Sequence, residues 1–183
     1  FIYDRSLNIL NAKGNVKIED KINKYFIQAN SVSYLKNKEI IFTEGNSEIK
    51  NYNNQIILAE KIQYEKLSNI VNAKGKVVIN DTLKNYEIKA EDISYFKNQN
   101  KIITKGKTKA TIEKYYKVDS EDVLYLINKK ILSSQKKTQI ISQRNQIFLD
   151  KFHLSINQNQ LKGENILLIT NFGLPKSDKL YFS

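Results

Sequence analysis

Apolar and polar residues alternate with period two along most of this chain. Every second residue gives Leu10, Ala12, Gly14, Val16, Ile18, and then Ile41, Thr43, Gly45, Ser47, Ile49. The column continues as Val71, Ala73, Gly75, Val77, Ile79 and as Ile102, Thr104, Gly106, Thr108, Ala110. The residues between them are mostly polar, such as Asn11, Lys13, Asn15, Lys17 and Glu19 in the first copy. Strict alternation rich in β-branched residues predicts half-buried strands, each of about ten residues or roughly 33 Å. A second set alternates as Tyr25, Ile27, Ala29, as Tyr86, Ile88, Ala90, and as Tyr116, Val118, Ser120. Its phase slips by one before Val32 and Tyr34, which predicts a β-bulge in each unit. The polar words "KNKE", "KLSN", "KNQN", "NYNN" and "DTLKN" supply the turns.

The alternation sits on a repeat. Gly14, Gly45, Gly75 and Gly106 are spaced 31, 30 and 31 residues apart, and Tyr3, Tyr34, Tyr64, Tyr95 and Tyr125 are spaced 31, 30, 31 and 30. A unit of about thirty residues with two strands buries its apolar face only by stacking on its neighbours. Glycine on the apolar side of a strand weakens it unless a bend or close approach requires it. A shared bend in the sheet is the expectation at all four. The pattern is clear over residues 1–141 and loosens over 142–183, where Lys136 takes the glycine's place and "LKGENILLIT" echoes the glycine strand. The whole of 1–183 reads as one repeat domain. The closing "SDKLYF" resembles the start of another unit, so a longer parent chain is expected.

Composition removes most chemistry. With Cys 0 and His 1 there is no thiol nucleophile, disulfide or multi-histidine metal site, and no phosphate loop or nucleophile elbow occurs. His153 reads as a filler. Glu91–Asp92 and Glu121–Asp122 recur beside the bulge and read as scaffold. The expectation is a non-enzyme without cofactor or metal. A net charge of +11 suits anionic partners, yet lysine on outward faces also blunts sheet edges. The near absence of arginine, and tyrosines lying near the apolar column, argue against a nucleic-acid binder.

The words "A-(E/D)-x-I-x-Y", a polar turn and "I-x-A-x-G-x-V-x-I" resemble the repeat of OstA-like, or LptA-like, domains. That family includes the periplasmic bridge protein of lipopolysaccharide transport and the N-terminal domain of the outer-membrane assembly protein LptD, and the latter is the nearer expectation here. The resemblance implies an all-β, elongated, V-shaped open β-jelly roll of antiparallel strands with an apolar groove for the acyl chains of lipopolysaccharide. Residues expected to line it are Val16, Ile18, Ile27, Val32, Ile41, Ile49, Ile57, Ile62, Ile79, Ile88 and Ile93. Gly14, Gly45, Gly75, Gly106, Tyr34, Tyr64, Tyr95 and Tyr125 carry the repeat. Implied partners are lipopolysaccharide, the bridge protein through edge-strand pairing, and the outer-membrane barrel with its lipoprotein plug, in a periplasmic setting at the outer membrane. The strand around residues 7–19 is the expected accepting edge. A bridge protein of the same pathway and a structural β-solenoid or adhesin are the alternatives.

Overall fold

The structure is a computed structural model that describes residues 1–22, 24–143 and 145–170 and the backbone of Tyr181–Phe182. A short strand, β1 (Ile2–Asp4), precedes seven long ones: β2 (Ile9–Asp20), β3 (Tyr25–Leu35), β4 (Ile40–Asn51), β5 (Gln55–Glu65), β6 (Ile70–Asp81), β7 (Tyr86–Phe96) and β8 (Lys101–Ile112). Shorter strands follow: β9 (Tyr116–Glu121), β10 (Leu124–Leu126), β11 (Ile131–Ser134), β12 (Thr138–Ser142) and β13 (Asn145–Leu149). The last are β14 (Lys151–Ser155), β15 (Gln160–Glu164), β16 (Leu167–Thr170) and β17 (Tyr181–Phe182). Among the described residues they form one hydrogen-bonded sheet of 17 strands. Neighbours are antiparallel, except that β17 lies parallel to β15. The "SDKLYF" word falls outside the described residues apart from the backbone of β17.

Each long strand is folded near its middle. The ladder between β2 and β3 shifts between Lys13 and Val16, and the same shift recurs between Glu44 and Ser47 and between Lys74 and Val77. Gly14, Gly45, Gly75 and Gly106 have φ of 89°, 75°, 79° and 75°, a left-handed backbone that glycine adopts without penalty. The fold at the glycine is sharp. Thr43 and Ser47 lie four residues apart on one strand, and their hydroxyls hydrogen-bond at 2.7 Å; Thr104 and Thr108 repeat this at 2.7 Å. An extended strand would hold such residues about 13 Å apart.

The glycine column is therefore the vertex of a V, and the sheet has two leaves. The first leaf holds the N-terminal halves of β2, β4, β6 and β8 and the C-terminal halves of β3, β5 and β7; it continues through β10, β11, β14 and β15. The second leaf holds the other halves and continues through β9, β12, β13 and β16. Where Lys136 replaces glycine the strand is interrupted instead of bent. It leaves β11 in the first leaf and β12 in the second. "LKGENILLIT" does the same, giving β15 to one leaf and β16 to the other. The fold is an elongated, V-shaped β-jelly roll, all β.

One expectation about the edges needs correction. The start of β2 is not free: β1 pairs with it from Ile2↔Asn11 to Asp4↔Ile9. The first leaf thus begins at β1, and only the stretch of β2 beyond Asn11 is an open edge. The cause is local, since the turn Asp4–Asn8 closes a hairpin in which the Asp4 carboxylate accepts bonds from the Ser6 and Leu7 amides.

Candidate functional site

The space between the leaves is where the apolar columns meet. On the second leaf Ile18, Ile27, Ile49, Ile57, Ile79 and Ile88 form one row across six strands, in register Ile18↔Ile27, Ile27↔Ile49, Ile49↔Ile57, Ile57↔Ile79 and Ile79↔Ile88. The row runs on as Ala110, Val118, Ile140 and Ile147. Val16 stands one step nearer the vertex and pairs with Ala29. On the facing leaf Val32, Ile62 and Ile93 flank the vertex, and Ile41 lies one step out, beside Tyr34 and Tyr64. The structure thus brings all eleven residues named from the sequence to one interior. Ten are buried, and Ile18, near the end of the roll, is half-buried against the same cluster.

The vertex side of this interior is partly polar. Thr43 with Ser47, Thr104 with Thr108, and Ser120 with Thr138 are buried hydroxyl pairs that satisfy one another at 2.7–2.8 Å. Asp122 accepts the Gly106 amide at 2.8 Å, so this recurrent acid supports the fold point. His153 is exposed on the outer face of β14 between Ser133 and Lys162. Among the described residues no cluster of three or more His, Cys, Asp or Glu could hold a metal ion.

The mouth of the V, opposite the vertex, was not legible as a unit from the sequence. The inner row of the first leaf alternates aromatic and aliphatic: Tyr34, Ile41, Tyr64, Val71, Tyr95, Ile102, Tyr125. At its rim these tyrosines meet residues of the second leaf. Tyr64 packs edge-on against Tyr25 with ring centres 5.6 Å apart, and Tyr125 against Tyr86 at 5.5 Å. Gln55 donates to Tyr86 at 2.9 Å, to Tyr95 at 3.4 Å and to Asp81 at 3.3 Å. Lys66 reaches Asp20 at 3.3 Å and Glu39 at 2.9 Å, again joining the leaves. Lys97 places its ammonium 3.5 Å from the Tyr25 ring centre and 4.5 Å from that of Tyr64.

These contacts set the electrostatics of the mouth. Burial pushes the Tyr25 hydroxyl up to about 12 and moves those of Tyr64, Tyr86, Tyr95 and Tyr125 upward as well. Burial alone would lower the Lys66 ammonium, but hydrogen bonds to Glu39 and Asp20 outweigh it and hold it above its ordinary value. Lys97 has no such help, and burial pushes it down to about 7. Two ring faces around a desolvated ammonium contribute about 2 kcal/mol or more of cation–π attraction. The signal for this mouth was present in the chain: Lys36, Lys66 and Lys97 each stand two residues after a repeat tyrosine.

The outer faces are different in kind. A shallow hollow of ≈ 340 Å³ on the first leaf is lined mainly by Ser31, Ser33, Phe42, Glu44, Lys61 and Gln63. Most of its lining side chains are polar and stand on the outer face of the leaf. Among the described residues, an exposed apolar run, Ile166–Ile169, stands at the last strand of the second leaf, β16.

A long V-shaped jelly roll, bent at a glycine column and filled by facing aliphatic rows, is the fold of LptA-like proteins. A solved structure with this fold is LptH, the LptA-homologous periplasmic component of the lipopolysaccharide transport device of Pseudomonas aeruginosa. It superposes with a TM-score of 0.59 at 14% sequence identity over 69% of this chain and 99% of LptH. No family profile and no curated protein sequence matches the chain.

Proposed function

We propose that this chain is a non-catalytic lipopolysaccharide-binding and transport domain. It shelters acyl chains between its leaves and passes them from a periplasmic bridge to the outer-membrane translocon. The observation that carries this reading is the nature of the seam. Backbone hydrogen bonds run along each leaf, whereas among the described residues the leaves meet across the mouth through side chains. The leaves can therefore part without breaking a ladder, and doing so uncovers the aliphatic row of the second leaf and the mixed tyrosine and aliphatic row of the first.

Each acyl methylene buried there contributes about 0.8 kcal/mol. A row of similar sites lets a chain advance one step at a time without a deep trap. The similarity of fold to LptH supports the assignment to lipopolysaccharide transport and to the periplasm. Of the two places in that pathway, we assign the chain to the N-terminal domain of an LptD-type assembly protein, beside the outer-membrane barrel and its lipoprotein plug. A bridge protein is the second reading, favoured by the description of LptH as a periplasmic component.

In-cell photo-crosslinking tests the seam. A photoreactive residue at Ile49 or Ile79 gives lipopolysaccharide adducts, and one at the outward Lys50 gives none. Adducts at Lys50 with none at Ile49 and Ile79 would overturn the reading.

A further inference from the structure

Lys97 differs from its repeat neighbour in one respect that bears on ligand binding. Lys66 and Lys97 occupy equivalent positions, two residues after Tyr64 and Tyr95, and each donates its backbone amide to the carbonyl of the residue just before a glycine strand: Lys66 to Glu39 at 3.0 Å, Lys97 to Asn69 at 3.2 Å. Lys66 ion-pairs with two carboxylates, Asp20 and Glu39. The repeat places Asn51 where Asp20 stood, at the end of the next glycine strand, and Asn69 where Glu39 stood. The Lys97 ammonium thus keeps its aromatic walls, Tyr25 and Tyr64, and loses both anions. It is buried, and among the described residues it has no hydrogen-bond partner.

The charged and titratable groups around it are few. Tyr25 comes from β3 and Tyr64 from β5, and Tyr95 of β7 and Asp20 of β2 act electrostatically on these tyrosines. In the adjoining turns Asn69 donates to Asn98 at 2.9 Å and Asn98 to the Ser68 carbonyl, while the Ser68 hydroxyl donates to Glu65. The nearest ion pair along the mouth belongs to Lys66. An ammonium taken out of water without a counter-ion is costly, and an arriving anion removes that cost through a short, charge-assisted hydrogen bond.

We propose that Lys97, walled by Tyr25 and Tyr64, is an anion subsite in the mouth of the roll that takes the phosphate or carboxylate of an amphiphile whose acyl chains enter between the leaves. The subsite rests on the acyl-chain reading above, because the anion reaches Lys97 only when the mouth opens. It gives the seam a fixed point: chains slide along the aliphatic rows, and the head group pauses at the one buried lysine of the mouth that the protein leaves without an anion among the described residues. Burial lowers the affinity of Lys97 for its proton, and a bound anion restores it. Binding near neutral pH therefore takes up a proton.

The test uses the full chain and two soluble probes with the same tails, dioctanoyl phosphatidic acid and dioctanoylglycerol, with inorganic phosphate as a third. The wild type is expected to bind the phosphate-bearing lipid about tenfold more tightly than the neutral one, with proton uptake seen as a buffer-dependent binding enthalpy. Lys97→Met abolishes both the preference, read as the ratio of the two lipid affinities within each variant, and the proton uptake, and Lys97→Arg keeps the preference. Lys97→Gln, which packs differently, guards against a folding defect in the Met variant. If both lipids bind and the preference survives in Lys97→Met and Lys97→Gln, the subsite is wrong and the acyl-chain reading stands. If neither lipid binds, the acyl-chain reading fails and takes the subsite with it. Inorganic phosphate binding as tightly as phosphatidic acid makes this a site for the free ion and overturns the amphiphile assignment.

Discussion

Four glycines at the vertex share a backbone conformation but not an environment. A Cβ added at Gly14 would meet nothing within 4 Å, whereas one at Gly75 would lie 2.5 Å from the Glu60 carboxylate and 2.9 Å from its Cβ. Gly14→Ala therefore carries only the left-handed backbone penalty, about 1–2 kcal/mol. Gly75→Ala adds a steric cost and is expected to lose more stability than Gly14→Ala in chemical denaturation; equal losses would mean that Glu60 moves aside freely. At the mouth, Lys97 makes a signed prediction. Its proton affinity is lower in the folded chain, about 7, than the ordinary lysine value of 10.5. Its contribution to stability is thus full above about 10.5 and is lost as pH falls toward 7. Tyr25, raised to about 12, and Tyr64, Tyr86, Tyr95 and Tyr125, also raised by burial, cost stability as pH nears and passes their ordinary value of 10.0. The wild type should gain stability between pH 7 and about 9, and Lys97→Met should be close to flat across that window. A parallel slope in both proteins would place the titration elsewhere.

Strands as elements carry the connections to neighbours. An open sheet exposes unpaired backbone at its first and last strands, and strand addition satisfies it. Here the two ends differ. The first end offers β1 in one leaf and the free part of β2 in the other, while among the described residues β16 is the last strand of the second leaf and carries an exposed apolar run. Lysine is frequent on the first edge, with Lys13 and Lys17 on β2, which suits a regulated edge rather than an aggregating one. A photo-crosslinker at Lys17 is expected to capture the bridge protein. One at Asn11, already paired to Ile2, is expected to capture it less, and capture confined to Leu167 would reverse the assignment of the ends.

At the scale of the whole molecule, the roll is a hinge with a fastened rim. The vertex is covalent and backbone-bonded; the rim is held by tyrosine edges, one glutamine network and a few lysine contacts. The Lys66 pairs are largely sheltered from solvent, with the Asp20 side chain 13% exposed, so they fasten the rim more firmly than surface pairs would. The rim yields first because, among the described residues, no backbone ladder crosses it. Joining the leaves there should stop lipid entry. In a Tyr25→Cys, Tyr64→Cys double variant, a short bis-maleimide bridge is expected to abolish uptake of a fluorescent acyl probe. The uncrosslinked variant, or one labelled with a monofunctional maleimide, takes it up. Uptake by the bridged protein would mean that chains enter from the ends of the roll.

Sequence alone determined the strands, their period, the fold point and the inward column, because each is a local or nearest-neighbour property. Alternation fixes which face of a strand is buried, and a glycine recurring every 30 or 31 residues fixes where all the strands turn. It placed Ile49, Ile79 and their row partners inside, and they are inside. The tyrosines were visible only as a ruler. Tertiary structure decided what they do, since Tyr25 and Tyr64 meet only after the glycine has folded the sheet and brought opposite strand ends together. The same holds for Lys97: a lysine two residues after a tyrosine reads as one more solvated charge. Its isolation follows from which residues the fold sets across the mouth, Asn51 and Asn69 in place of Asp20 and Glu39, and no single strand contains that information.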